Sequence, residues 1–149
     1  MVIALSLALT APSTAESPTA SAGIQLQVAA QLAERPGGIV TGNRIDYPDG
    51  TGFVAIEVGV QSVSDCDSGW FCTWTAANYT GSFTYKSGSG SKQLSLAVRS
   101  FWNHRSTIAR LYNNAGSAST CYENGVKKAT VAVSYQNADS VTLGSAVNC

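Results

Sequence analysis

From residue 65 to the end of the chain, short runs of alternating apolar and polar residues follow one another with no proline among them. The runs are "WFCTWT", "SFTYK", "QLSLAV", "TIARLY", "KKATVAVSY" and "SVTLG". Each is about a strand long, and the turns between them carry Gly, Asn and Ser. Alternation puts successive side chains on opposite faces, so one face of each run can cover a core. No convincing helical period competes here. Strands this short, regularly spaced, predict an antiparallel sandwich of Greek-key type. "ENGVKK" holds Asn124-Gly125, a two-residue hairpin signal. "YKSGSGSKQ" reads as a flexible loop.

All four prolines lie at or before Pro48 and set the first part of the chain apart. Residues 65–149 are read as the core domain and residues 23–64 as a leader. In the leader, "GIQLQVAAQLAERPGG" carries Ile24, Val28 and Leu32 on one stripe, a helix ended by Pro36, Gly37 and Gly38. "NRIDYPDGTGFVAIEVGV" then predicts a hairpin: Ile45 and Tyr47 on one arm, "PDG" at the turn, and Val54, Ile56, Val58 and Val60 alternating on the other. A helix and a hairpin alone cannot enclose a core, so the leader has to pack on the second half or on a partner.

Charged residues make up only 12% of the chain, against about 25% in typical soluble domains. Ser, Thr, Ala, Gly and Asn fill the difference, the composition of a secreted β-rich chain. "MVIALSLALTAPSTA" is apolar and small, and "ASA" at Ala20 to Ala22 fits a cleavage site, so residues 1–22 read as a signal peptide. The apolar run is too short to span a bilayer. Cys66, Cys72, Cys121 and Cys149 form an even set, read as two disulfides. Three connectivities are open; pairing of sequence neighbours, Cys66–Cys72 and Cys121–Cys149, is the expectation. There is no CxxC and only one histidine, His104, so zinc is not expected.

Charge is uneven along the chain: residues 23–65 carry a net −3 and residues 66–149 a net +4. Scatter over a solvated surface accounts for this. No Lys/Arg run exceeds "KK", which argues against nucleic acid as a partner.

"DCDSGWFCTWTAANYTG", residues 65–81, concentrates aromatics between and after two cysteines. Trp74 is followed by six residues and then Gly81, with Tyr79 two before the glycine. The pattern resembles the aromatic-x6-Gly strand and turn of βγ-crystallin Greek keys. There the glycine takes a conformation that Cβ would hinder and the aromatics pack together. "LYNNAG", from Leu111 to Gly116, could open a second, degenerate key. Together with "VRSFWNHRSTIARLY", the stretch resembles the Streptomyces metalloproteinase inhibitor family, secreted bacterial peptidase inhibitors of βγ-crystallin-like fold. The features that match are Cys66, Gly69, Trp70, Phe71, Cys72, Trp74, Tyr79, Gly81, Ser100, Phe101 and Asn103, and the resemblance spans about residues 65–145. Pro36 to Gly50 resembles a segment found ahead of such domains in exported bacterial proteins.

The resemblance implies a non-catalytic inhibitor of secreted zinc metalloproteases, acting through a rigid disulfide-braced loop. Preorganisation of such a loop lowers the entropic cost of binding. "STCYENG" lies where the family's inhibitory loop and second disulfide fall. Cys121, Tyr122 and Glu123 are therefore the implied contact residues, with Cys121–Tyr122 as the bond presented. The chain departs from the family here, because Cys149 is the only cysteine left to pair with Cys121.

Other readings of single residues are weaker. Trp70, Phe71, Trp74, Tyr79, Phe83 and Tyr85 could form a stacking platform for sugar or cell wall, but aromatics of a small sandwich are expected mainly in its core. "NHRSTI", from Asn103, holds too few oxygen ligands for the calcium site of βγ-crystallins, and Arg105 adds a positive charge. His104 has no nucleophile motif around it and reads as a loop residue. Asp65 and Asp67 flank a cysteine in a turn, where Asp is favoured structurally. Asn78-Tyr79-Thr80 is a formal glycosylation sequon.

The sequence thus predicts an all-β, βγ-crystallin-like Greek-key sandwich stapled by two disulfides and preceded by a helix-and-hairpin leader. It predicts a secreted monomer with no catalytic residues, metal or cofactor, whose partner is a secreted protease and not nucleic acid or membrane. The alternative is a secreted, non-enzymatic module that binds cell wall or cell surface.

Overall fold

The leader supplies one helix and three strands. Helix α1 (Ala22–Glu34) starts where Ser21 Oγ accepts from the Ile24 backbone N–H, a side-chain cap on an otherwise unpaired donor. It ends just before Pro36. Val28 is buried, with Ile24 and Leu32 beside it on the predicted stripe. Strands β1 (Ile39–Thr41), β2 (Arg44–Asp46) and β3 (Thr51–Val54) form an antiparallel meander. The expected second hairpin arm therefore stops at Val54. Beyond it the Ile56 N–H bonds to Ser82 Oγ, and a turn around Gly59 (φ +80°) leaves Val58 and Val60 exposed. The alternation continues there, but no sheet is present for it to join.

The computed structural model describes residues 20–94, 97–113, 118–135 and 138–149. Within them, residues 65–149 contain two quartets of strands. The first is β4 (Trp70–Trp74), β5 (Phe83–Ser87), β6 (Gly90–Gln93) and β7 (Ser100–Asn103). The second is β8 (Ala109–Asn113), β9 (Ala118–Tyr122), β10 (Lys127–Lys128) and β11 (Ala138–Leu143). One sheet runs β1-β2-β3-β5-β4-β7-β10 and the other β6-β11-β8-β9. Each quartet keeps three strands in its own sheet and lends its third to the other. This reciprocal exchange ties two Greek keys into one sandwich, the all-β architecture expected from the sequence. The leader's β3 pairs with β5 and extends the first sheet by three strands. The leader and the domain thus share one hydrogen-bonded sheet.

Strand alternation sorts the side chains into cores. On the inner face, Phe71 and Phe101 meet Leu111, Val141 and Leu143 of the second sheet. On the outer face of β4 and β5, Trp74, Phe83, Tyr85 and Cys72 are buried under the 56–69 segment and Tyr79. Helix α1 covers Ile45 and Phe53 at the leader end. The aromatic-x6-Gly reading is realised. Trp74 and Tyr79 make an edge-to-face contact at 5.3 Å, and Gly81 sits at φ +74° with open space where a Cβ would be. Conformation, not crowding, demands glycine at 81. Gly81→Ala is expected to cost about 1–2 kcal/mol, the usual penalty of a left-handed backbone for an L-residue. Denaturant unfolding measures this, and an unchanged midpoint would contradict it.

Both disulfides pair sequence neighbours: Cys66–Cys72 across 6 residues and Cys121–Cys149 across 28. Loop-closure entropy makes the longer one worth more, about 3.5 against about 2 kcal/mol.

Several local expectations are corrected. Asn124-Gly125 does turn, with Gly125 at φ +73°. Its flanking strands β9 and β10 lie in different sheets, so no hairpin forms. "YKSGSGSKQ" is not a loop throughout: a two-residue turn at Gly88-Ser89 carries the chain from β5 in one sheet to β6 in the other. Strand β6 consequently lies in the glycine-rich "GSKQ" rather than in "QLSLAV", because pairing with β11 selects Gly90–Gln93. In "KKATVAVSY" only the two lysines are strand. The chain leaves that edge at once to return to the second sheet, burying Val131 on the way. "STCYENG" is strand as far as Tyr122 and turn beyond it. The proposed second key does begin at β8, which holds Leu111, while Asn114 to Gly116 lie outside the described residues, as does most of the expected signal peptide.

Candidate functional site

Cys121, Tyr122 and Glu123 lie together at one end of β9. This strand is the edge of the second sheet, paired on one side with β8, where Tyr122 faces Ala109 and Cys121 faces Arg110. Among the described residues no strand pairs with its other side. An edge strand keeps a row of backbone donors and acceptors unused. Cys121 is tied to Cys149 at a Cα separation of 5.8 Å, which fixes the end of the edge to the chain terminus. The Tyr122 ring turns inward onto Phe101, with centroids 4.5 Å apart. Burial, then the nearby Tyr135, pushes its phenol pKa up. Glu123, Asn124 and Gly125 are exposed. A partner at this edge therefore meets the backbone of β9 and the side chains after Tyr122, and not the tyrosine ring.

The two keys have equivalent edges. The second strand of the first key, β5, holds the position that β9 holds in the second. There the edge is occupied: β3 lies antiparallel on it, from Thr51 opposite Lys86 to Val54 opposite Phe83. The molecule thus contains its own example of an extended segment added to this kind of edge. Of the four edge strands, β9 is the longest at five residues; β1 has three, β6 four and β10 two. The two residues of β10 are lysines, which discourage edge-to-edge pairing.

One buried side chain sets the shape of the turn after β9. Asn103 has no exposed surface. Its Nδ2 lies 2.9 Å from the Thr107 carbonyl, 3.2 Å from that of Tyr122 and 3.0 Å from that of Glu123. Its backbone N–H donates to the Val126 carbonyl and its own carbonyl accepts from the Gly125 N–H. An amide that reaches several carbonyls at once does what water would otherwise do for a turn. Asn103 belongs to the sequence motif, but this role is not legible there, since nothing local in "SFWNH" says which carbonyls the amide meets. Ser100, three residues earlier, is also fully buried. Its hydroxyl donates to the Ala76 carbonyl and accepts from the Tyr79 N–H. That bond helps hold Asn78 and Tyr79, both at positive φ, in the fold over Trp74.

The conspicuous aromatics of residues 65–81 are spent on packing. Trp74 is completely buried and its Nε1 donates to Ser62 Oγ at 2.8 Å. Phe71, Phe83 and Tyr85 are buried as well. Trp70 is half-exposed, stacked on Tyr85 at 3.6 Å with the Arg44 guanidinium above its ring. Tyr85 donates its hydroxyl to Asp46, and burial together with that carboxylate raises its pKa. No continuous stacking platform results.

His104 is more than a solvated loop residue. It stacks on Trp102 at 3.7 Å, and its Nδ1 is 2.8 Å from the Cys66 carbonyl, bracing the first disulfide loop. Lys127 caps the Trp102 ring with Nζ 3.9 Å from its centroid. Asp67 reaches Arg44 at 3.8 Å, and its carbonyl accepts from the Trp70 N–H, a turn role. In the stretch weighed for calcium, Arg105 bonds to the Ile108 and Gly144 carbonyls, so a guanidinium fills that loop. Among the described residues no group of three His, Cys, Asp or Glu gathers to hold a metal.

The fold is a small, disulfide-stapled, two-key β-sandwich in which no described strand covers the outer side of β9. Residues 60–124 match the model of peptidase inhibitor family I36, the family that the sequence motifs resemble. The match supports a peptidase inhibitor, a protein whose partner is a protease. It begins near the 3-10 turn that covers Trp74 and ends in the turn after Tyr122. No curated protein and no solved structure matches the chain. Two disulfides suit an oxidising compartment, and among the described residues no helix is long and apolar enough to cross a membrane.

Proposed function

We propose that this is a secreted, monomeric inhibitor of metalloproteases and that its contact is the outer edge of β9 with the turn at Glu123–Gly125. The match of residues 60–124 to a peptidase inhibitor family carries the reading. The open edge supplies a mechanism. Peptides commonly bind by adding a strand to a sheet edge, with backbone bonds giving affinity and exposed side chains giving specificity. A protease cleft that takes substrates as extended strands would find one ready-made in β9. Three restraints preorganise it: pairing to β8, the Cys121–Cys149 bridge and the Asn103 amide. Preorganisation cuts the ordering cost that a flexible peptide meets. The Cys121–Tyr122 bond is paired within a sheet and the tyrosine ring is anchored inside, so the presented strand resists the distortion that hydrolysis needs. Glu123 and Asn124 are the side chains offered to the protease.

Purified protein is expected to slow a thermolysin-type metalloprotease at micromolar or lower concentration. A panel of secreted metalloproteases that all run at full rate would overturn the metalloprotease target. A Cys121→Ser/Cys149→Ser variant, assayed below its melting temperature, is expected to inhibit at least tenfold more weakly, as the end of the edge gains freedom. Equal potency would move the contact elsewhere on the molecule.

A further inference from the structure

The inner face of the first sheet is covered twice, by α1 at the leader end and by the second sheet at the other. Between the two covers a cleft of about 520 Å3 remains, within the range of about 300–1,000 Å3 usual for small-molecule sites. Its floor is a cross-strand row, Phe53 beside Thr84 beside Thr73. The two threonine hydroxyls are 2.9 Å apart. Gln31 and Arg35 line one wall, Lys92 and Leu94 the other. Lys92 is half-buried, and its Nζ lies 3.4 Å from the Tyr85 carbonyl, its hydrogen-bond partner. Among the described residues no carboxylate lies within ion-pair distance of it.

The charges around the cleft leave one positive charge in excess. Arg35 bonds to Asp49 at 2.8 Å, and Lys86 donates to the Asp49 carbonyl. Glu34 lines the rim. Arg35, Lys86 and Lys92 thus face Glu34 and Asp49. A half-buried ammonium in a positively charged surrounding and without a counter-ion is unfavourable. A bound ligand with a single negative charge would remove that penalty, whereas a dianion would overcompensate it.

We propose that this cleft binds a small amphipathic carboxylate, its anionic end on Lys92 and its apolar body along Phe53 and Leu94. The threonine hydroxyls and the Gln31 amide offer further hydrogen bonds to the head group. The site's pH behaviour follows from its surroundings. Burial, then Arg35, then Lys86, lowers the Lys92 pKa to about 7, with Asp49 opposing. In the free protein Lys92 therefore loses its proton as pH rises through about 7, while a carboxylate ligand stays ionised. Binding weakens in the same direction.

The probe is octanoate, with octanol and inorganic phosphate alongside, titrated into the full chain at pH 6 and pH 9 and followed by amide NMR shifts. At pH 6 octanoate is expected to perturb Phe53, Thr73 and Thr84 and to bind at least about tenfold more tightly than octanol, the worth of a roughly one-unit pKa coupling. At pH 9 the preference is expected to fall by at least about tenfold. Lys92→Met is expected to abolish the preference while melting no lower than the parent, since it removes a half-buried charge that has no ion-pair partner among the described residues. Octanol binding as tightly as octanoate, phosphate binding more tightly than either, shifts outside the cleft, or an unchanged preference in Lys92→Met would each overturn the proposal. None of these readouts depends on a protease.

Discussion

Trp74→Ala is expected to remove about 3–5 kcal/mol of stability, the usual cost of deleting a fully buried aromatic. The ring has no exposed surface, lies 4.8 Å from Phe83 and 5.3 Å from Tyr79, and donates to Ser62. Its loss would open the outer core that holds the 56–69 segment and the first disulfide against the sheet. Total stabilities of small domains are about 5–15 kcal/mol, so the variant should melt far below the parent or fail to fold. Trp74→Phe keeps most of the ring and loses the bond to Ser62, and should cost distinctly less. Denaturant unfolding monitored by circular dichroism separates the two. Near-equal losses would mean that the hydrogen bond, rather than the packed ring, dominates here.

Asn103→Ala is expected to cost about 1–3 kcal/mol, because it removes the buried amide that donates to the Thr107, Tyr122 and Glu123 carbonyls. Asn103→Asp should be at least as damaging, since it replaces a donor by a carboxylate facing those same carbonyls. The functional consequence is separable from the loss of stability. At a temperature where Asn103→Ala remains folded, its potency against a protease should fall at least tenfold if the turn is the contact. A folded variant that inhibits as well as the parent would remove the 121–125 region from the interface. The Gly81→Ala variant is the control: it strains a distant turn and should lower stability without changing potency.

Much of the first key is legible through a resemblance carried by nearby residues. Cys66, Cys72, Trp74, Tyr79 and Gly81 act through contacts a few residues apart, and their pattern resembles a βγ-crystallin key. The helix stripe of Ile24, Val28 and Leu32 is legible from its period alone. The second key was harder. β9 carries no apolar alternation, since "ASTCY" is small and polar apart from its last two residues. As an edge it needs to cover only part of one face. At Asn124-Gly125 the local chemistry specifies a turn, but the strands on either side belong to different sheets. The candidate site shared this fate. Cys121, Tyr122 and Glu123 were placed by resemblance. That the tyrosine faces Phe101 and that Asn103 holds the turn were consequences of packing.

The sequence by itself determined that this chain forms short antiparallel strands, lays Ile24, Val28 and Leu32 on one helical stripe and turns at its glycines. These properties rest on side-chain period, loop length and the conformational freedom of single residues, all of them local. Only the tertiary structure decided that β6 and β10 exchange sheets, that the leader occupies the edge at β5 while no described strand pairs with the equivalent edge at β9, and that a cleft lined by Lys92 remains between two covers. Alternation says that a strand has two faces and two edges. Which of them is filled depends on segments far away in the chain, and no period in the sequence records that choice.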